Sequence, residues 1–493
     1  MKTPVQMLIT ACLAGVAFAG PPAVVTLAPA APANPLSFLD GRVTFDVQER
    51  VRWEIRENNY DFNSAVRSLT DDNWILNRFR LGVMLKPAPW LKIYAQTQDS
   101  REYLSDRQDF PGVLAAEGDD AFDLRHGYVE ISNYEKCPWG LKIGRQVLAY
   151  GDERLVGSFD WNNIGRTFDA VKLRYQQQLW SVEAFASTVP VITRGKYNQS
   201  DLFNGTETHR EQVLSGLYFS TTALSVQTTD LYVFHLHENT SALYQPTAIG
   251  DTNFFTIGAR VKSKPGVFHH EPTAVHDGKA MADGKSTPPP PAPASKPLGF
   301  DYNAEVAFQT GKVRGLDLTA CAVHGDLGYT FDLPWTPRLG AEYNYASGDT
   351  NATDGNSETF QNLFPTNHAR YSFIDAFSWQ NMHNPAISLK AAPCKKLTLQ
   401  ADYRLFWLAT NEDVWYRANG STAVRPLTPL ARNADKFAGT EFDIVATYKP
   451  IKQLAVQAGY GHFFAGSYVD SSLKGLGGST DADWLYLQLT LNF

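Results

Sequence analysis

Residues 483–493 read D-W-L-Y-L-Q-L-T-L-N-F. Leu485, Leu487, Leu489, Leu491 and Phe493 fall on one parity, and Trp484, Tyr486, Gln488, Thr490 and Asn492 on the other. A β-strand points successive side chains to opposite faces, so this strand has one apolar face and one mostly polar face. An edge strand of a soluble sandwich fits that pattern. The closing strand of an outer-membrane barrel, with lipid outside and water inside, fits it better.

The other end of the chain agrees. Lys2 precedes an apolar run over 7–16, and Ala17-Phe18-Ala19 is a small-x-small site. Residues 1–19 are therefore expected to be a secretory signal peptide cleaved near Ala19, too short in its apolar part to span a bilayer as a helix. The Pro- and Ala-rich stretch 20–39 reads as a disordered lead-in, and 40–493 as one barrel. After the leader no apolar run is long enough for a spanning helix. Aromatic residues make up 13% of the chain, consistent with girdles at two membrane interfaces.

Strand-like periodicity recurs and helical periodicity is almost absent. Segment 42–57 is the clearest, with Val43, Phe45, Val47, Val51, Trp53 and Ile55 alternating against polar neighbours. About 18 such segments give an all-β, transmembrane, antiparallel up-and-down β-barrel. The segment 369–379 is the weakest of the candidate strands. Short turns with Pro beside Trp or Lys alternate with long polar loops, near 58–73, 102–122, 150–166, 189–211, 348–383, 410–439 and 465–482. Residues 262–297, rich in Pro and His, read as a low-complexity insertion on the short-turn, periplasmic side.

If the apolar parity meets lipid, the other parity lines a lumen. It carries Arg50, Arg52, Arg56, Arg78, Arg80, Lys92, Lys172, Arg174, Arg260, Lys262, Arg338 and Arg404. Arginine on the lipid face costs about 2–4 kcal/mol at the midplane, which alone directs these residues inward. Two outcomes remain open. The acids Asp46, Glu54, Glu130, Glu305, Asp402 and Asp443 neutralise them, or a surplus of cations selects anions at a constriction. Neutralising Arg50, Arg52, Arg78 and Arg80 is expected to cut anion selectivity and leave folding largely intact. Arg125 and Arg145 share phase with apolar neighbours, and a bulge at Gly127 or Gly144 would re-aim them.

Several motifs together resemble the bacterial alginate export outer-membrane porins. They are D-L-R-H-G-Y-V-E over 123–130, G-R-Q-V-L-A-Y-G-D-E-R-L-V-G over 144–157, D-W-N at 160–162 and G-R-T-F-D-A-V-K-L-R-Y over 165–175. Later come A-E-Y-N-Y-A-S-G-D from 341, N-L-F-P-T-N-H from 362 and G-Y-G-H-F-F-A-G-S-Y from 459. The resemblance implies an 18-stranded barrel with an arginine-rich constriction that passes an acidic polysaccharide. It points to Arg125, Glu130, Arg145, Asp152, Arg154, Arg166, Asp169 and Arg174 near the path, beside the first-strand arginines. The insertion at 262–297 departs from the family pattern.

The net charge of −7 argues against nucleic-acid partners. Three cysteines outside the leader, Cys137, Cys321 and Cys394, make neither a disulfide framework nor a metal spacing. No Ser- or Asp-containing signature frames the histidines as a hydrolase would need, and no nucleotide or zinc motif occurs. A passive porin is therefore expected in the outer membrane: not an enzyme, without cofactor or metal, and monomeric. Its partners are an acidic polysaccharide or oligosaccharide, outer-membrane lipid, and periplasmic secretion or uptake components. The alternatives are uptake of other small anions, an adhesin or receptor, and an outer-membrane enzyme.

Overall fold

Eighteen strands carry the alternating segments, and the computed structural model joins them into one antiparallel sheet. It describes residues 36–58, 62, 71–105, 118–190, 192, 197–198, 200, 211–239, 251–264, 298–368, 370–420, 423–425, 427–474 and 481–493. The expected leader, most of the lead-in and insertion residues 265–297 lie outside them.

The barrel strands are Val43–Glu57 (β1), Asp72–Ala88 (β2), Leu91–Tyr103 (β3), Asp120–Ser132 (β4), Trp139–Gln146 (β5), Phe168–Gln176 (β6), Trp180–Thr188 (β7), Glu211–Thr221 (β8) and Gln227–Asn239 (β9). They continue as Thr252–Ser263 (β10), Gly299–Val313 (β11), Leu316–Thr330 (β12), Arg338–Ala346 (β13), Met382–Cys394 (β14), Leu397–Leu408 (β15), Phe437–Ile451 (β16), Leu454–Ala465 (β17) and Ala482–Asn492 (β18). Each pairs with the next, and β18 returns to β1 with Leu489 opposite Val51 and Gln488 opposite Arg52. Closure leaves no unpaired edge, which a sheet in hydrocarbon requires.

The face assignment holds at the seam. Val51, Trp53, Leu485, Leu487 and Leu489 are exposed, whereas Trp484 and Tyr486 are buried inside. Stacked or edge-on rings of Trp139, Tyr175, Trp180, Phe300 and Tyr329 gather at the short-turn end, where an interfacial girdle belongs. Both flanks of the insertion, β10 and β11, end there too. Residues Ser37–Phe38, at the end of the expected lead-in, pair with Val43 and Thr44.

The weakest candidate strand, 369–379, is not a strand. Tyr371, Phe373, Ile374 and Phe377 are buried inside the barrel, because this stretch belongs to a loop that turns inward. That loop, 347–381, is the second interior loop in chain order, and it meets the first, 147–167. They are joined by the parallel bridge Val156–Phe364, with Gly157 N donating to Phe364 O at 2.8 Å and Phe364 N to Leu155 O at 2.8 Å. Phe377 stacks on Phe406 of β15 at 4.3 Å, and Tyr150 on Tyr218 of β8 at 4.6 Å. The loops are thus fixed to the wall by apolar packing as well as by polar contacts. Two short helices, Pro429–Arg432 (α1) and Ser467–Ser472 (α2), lie at the long-loop end. Among the described residues no helix is long and apolar enough to cross a membrane, and the strands do the crossing.

Candidate functional site

Alternation along β1 and β2 sends Arg50, Arg52, Arg56, Arg78 and Arg80 inward, and all five are buried. Segment 158–165 of the first interior loop covers all but Arg56, which donates to Ile374 O of the second. Arg50 donates to the carbonyls of Asp160 (2.7 Å), Trp161 (3.2 Å) and Asn162 (3.1 Å), and Arg52 to that of Trp161 (2.6 Å). Arg78 donates to the Asp160 and Asn162 carbonyls. The Asp160 carboxylate receives Arg80 at 2.8 Å, Arg78 at 3.2 Å and Arg125 at 3.4 Å. Burial would raise this carboxyl, but the guanidinium groups of Arg78, Arg80, Arg125 and Arg50 hold it well below the usual range. Several cations thus converge on one acid, whose side chain is 46% exposed. Arg52 and Arg56 instead flank buried Glu54, at 2.5 and 3.1 Å.

Arg125 reaches the cluster through a bulge. The ladder shifts where Gln96 pairs with His126 and Thr97 with Leu124, leaving Arg125 as the extra residue and turning it inward. The bulge sits at Arg125 itself, two residues before the glycine expected to host it. Gly165 (φ +74°) completes the fit: a Cβ there would lie 2.8 Å from the Arg125 guanidinium, which donates to Ile164 O at 2.9 Å.

Arg145 and Asp169 pair across β5 and β6 at 2.8 and 3.0 Å on the phase of Ile143 and Val171, and Arg145, largely covered, lines a cavity of about 190 Å³ with Arg125, Asn162, Ile164 and Arg166. No bulge intervenes at Gly144. Its φ of +119° instead admits the backbone of Gly127, whose carbonyl oxygen would lie 2.2 Å from a Cβ.

Arg166 is packed against the Phe159 and Phe364 rings and donates to Pro365 O at 2.8 Å, tying the two interior loops together. Burial pulls its guanidinium down to about 10, so it stays cationic at neutral pH. Lys92 pairs with Glu130 at 2.8 Å. Lys172 and Arg174 share Glu183 at 3.3 and 3.1 Å.

Below the loops, on the short-turn side, lies a vestibule of about 390 Å³. Asp152, Arg154 and Arg370 descend from the loops, and the inward residues of β10–β15 form its wall. Arg338 is held by Asp301 (2.6 Å) and Asp326 (2.5 Å), and Arg404 by Glu342 (3.2 Å). Arg154 sits 3.6 Å from Glu342 and 3.9 Å from Glu305. Asp152 receives Arg260 and Lys262, each at 2.8 Å. Burial opposes its ionisation, yet Lys262 and Arg260 keep its carboxyl well below the usual range. Of the acids expected to neutralise the lumen, Asp46 accepts from Tyr94 and Gln96 rather than from an arginine, and Asp402 lies 3.7 Å from Arg404. Asp443 is buried in the wall of β16.

Two cations of the vestibule escaped the sequence reading. Arg370 lay in the segment taken for a doubtful strand. Lys390 shares the inward phase of Asn384, Ala386 and Ser388 opposite exposed Ile387 and Leu389, so alternation could have found it. Among the described residues no group able to hold a metal ion occurs. Cys137, Cys321 and Cys394 are free thiols.

Residues 42–473 match the family described as alginate export. The chain belongs to the alginate export family. It is an outer-membrane porin: family and fold are those of a channel. No curated protein matches it. Among solved structures it is similar to OpdK of Pseudomonas aeruginosa (10% identity, TM-score 0.54, covering 92% of this chain and 98% of that one). OccK11 (OpdR) of the same organism is similar too (12% identity, TM-score 0.51, 92% and 96%), as is OpdK solved with vanillate (11%, 0.53, 91% and 98%). At these identities the likeness concerns the fold alone.

Proposed function

We propose that this alginate-export-family porin passively conducts acidic saccharides of the alginate type, selecting them as anions. The observation that carries the reading is the cation surplus at Asp160, where Arg78, Arg80 and Arg125 share one partly accessible carboxylate. Fixed guanidinium groups favour carboxylates through their planar fork and repel cations from a narrow passage. A passive pore follows its gradient, so either export or uptake is served by the same lumen. In this reading the chain is delivered by its leader, cleaved near Ala19, and works as a monomer. It meets periplasmic secretion or uptake components at the short-turn end, beside the insertion.

The test is the reversal potential of single channels under a KCl gradient, with polymannuronate then added. Anion selectivity and polyuronate block support the reading, and cation selectivity sinks it. A second reading, uptake of small aromatic or aliphatic carboxylates, is favoured by the two loops that bond to each other across the lumen. The fold neighbour OpdK was solved with vanillate. Liposome swelling with monomeric carboxylates, in channels that polyuronate does not block, would favour this second reading.

A further inference from the structure

The vestibule contrasts with the arginine cluster above it. There, guanidinium groups are consumed in docking a loop. In the vestibule Arg338, Arg404 and Lys262 are each committed to an acid. Arg370 and Lys390 are not. Among the described residues neither side chain makes a hydrogen bond or an ion pair within 4 Å, and both line the same cavity. Arg370 is carried down by the second interior loop, and Arg404 anchors its backbone by donating to Arg370 O at 3.4 Å. Lys390 comes from β14, two residues along the same face from Ser388, and lines the cavity with it.

We propose that Arg370 and Lys390 form a recognition subsite for one carboxylate of a saccharide acid, with Ser388 placed to meet a sugar hydroxyl. The proposal rests on the anionic-saccharide reading and adds to it a location and ligands. The physical reason is the unmet hydrogen-bonding capacity of a half-buried guanidinium. Its donors lack a protein acceptor, and a bidentate carboxylate supplies two charge-assisted bonds. Asp152 and Glu153 act on Arg370 only at longer range, Asp152 being taken up by Arg260 and Lys262. The cavity of about 390 Å³ falls at the lower end of small-molecule sites, ~300–1,000 Å³, and so suits one or two sugar rings rather than a coiled length of polymer. The subsite opens on the short-turn side. It would bind a chain end entering from there, or the last residue of one leaving.

The probe is a mannuronate trisaccharide, read as transient block of single-channel current from each side of a planar bilayer. Wild type should be blocked from one side, with maltotriose inert. Arg370→Gln and Lys390→Gln should each raise the half-blocking concentration about tenfold, as expected for losing one charge-assisted contact. Arg370→Lys should retain part of the block. Lys390 has no partner to lose, so its variant folds even if Arg370→Gln loosens the loop. Absence of block in wild type, or block unchanged in both glutamine variants, overturns the subsite. Failure of the broader reading shows separately, as cation selectivity of the wild type in KCl alone.

Discussion

The indole of Trp161 lies parallel to the imidazole of His368, ring centroids 3.8 Å apart and planes within 5°. The Arg52 guanidinium sits 3.8 Å over the same indole. Trp161 belongs to the first interior loop, His368 to the second and Arg52 to the wall, so one stack clamps all three. His368 is further held by Asp375 at 2.9 Å. Trp161→Ala should release both loops at this point. The expected result is higher single-channel conductance with more flicker, and a stability loss of about 2 kcal/mol, below the ~3–5 for a fully buried Trp→Ala. Trp161→Phe should lie between. Unchanged conductance in the alanine variant would show that the stack does not set the aperture.

Asp160 and Arg80 should respond with opposite signs. Asp160→Asn removes the one acid shared by three guanidinium groups, leaving more uncompensated positive charge against the lumen. Anion selectivity should rise while the segment 158–165 loosens, by roughly 2 kcal/mol given the half-exposed side chain. Arg80→Gln should lower selectivity. Reversal potentials of both variants, and of the pair combined, measure the coupling.

Neutralising Arg50, Arg52, Arg78 and Arg80 together has a different consequence from the one parity alone suggests. Arg50, Arg52 and Arg78 donate to the Asp160, Trp161 and Asn162 carbonyls and Arg80 to the Asp160 carboxylate, so their removal orphans acceptors as well as deleting charge. Selectivity should fall and conductance should become noisy in the same variant. Proteolysis within 158–165 should appear in the quadruple variant and not in wild type.

What could be read from the chain follows the period-2 rule. It placed Arg50, Arg52, Arg78 and Arg80 correctly because a strand allows each side chain only two faces. It failed at Arg125 because one extra residue in a ladder inverts the phase, and nothing in D-L-R-H-G marks where that residue falls. It held at Arg145, which keeps the phase of Ile143 and pairs with Asp169 across the ladder. Loops carry no such rule. That the backbone of 160–164 would be the main acceptor for the arginines depends on a tertiary fold-back. Arg370 was hidden for the same reason, although Tyr371, Phe373, Ile374 and Phe377 make that loop too apolar to be a solvated one.

The pH response follows from Asp160 and Asp152, both held below the ordinary carboxylate value by neighbouring cations. A group depressed in the folded state stabilises it fully above the unfolded value, about 3.9, and loses that contribution as pH falls through the lower folded value. Loop docking should therefore be flat from pH 8 down to about 4 and weaken only in stronger acid. Conductance noise and reversal potential across that range are the check. A transition near pH 6 would mean another group controls the loop.

One carboxylate of the wall gathers a whole turn of the second interior loop. Glu441 of β16 receives Phe373 N at 2.6 Å, Ile374 N at 3.3 Å and Ser372 Oγ at 2.7 Å, and it is fully buried. Arg56 anchors the same turn from the opposite side by donating to Ile374 O at 2.9 Å. Glu441→Ala strands two backbone donors and a hydroxyl where water has little access, at about 1–3 kcal/mol for each group left unpaired. Glu441→Gln keeps one acceptor oxygen on an isosteric side chain, so it should retain most of the docking. Alanine should therefore raise conductance and lower the thermal midpoint well beyond glutamine. Because Arg370 rides on this loop, the alanine variant should also weaken trisaccharide block while leaving Lys390 in place. Equal behaviour of the two variants would mean that apolar packing of Phe373 and Phe377, and not the carboxylate, holds the loop down.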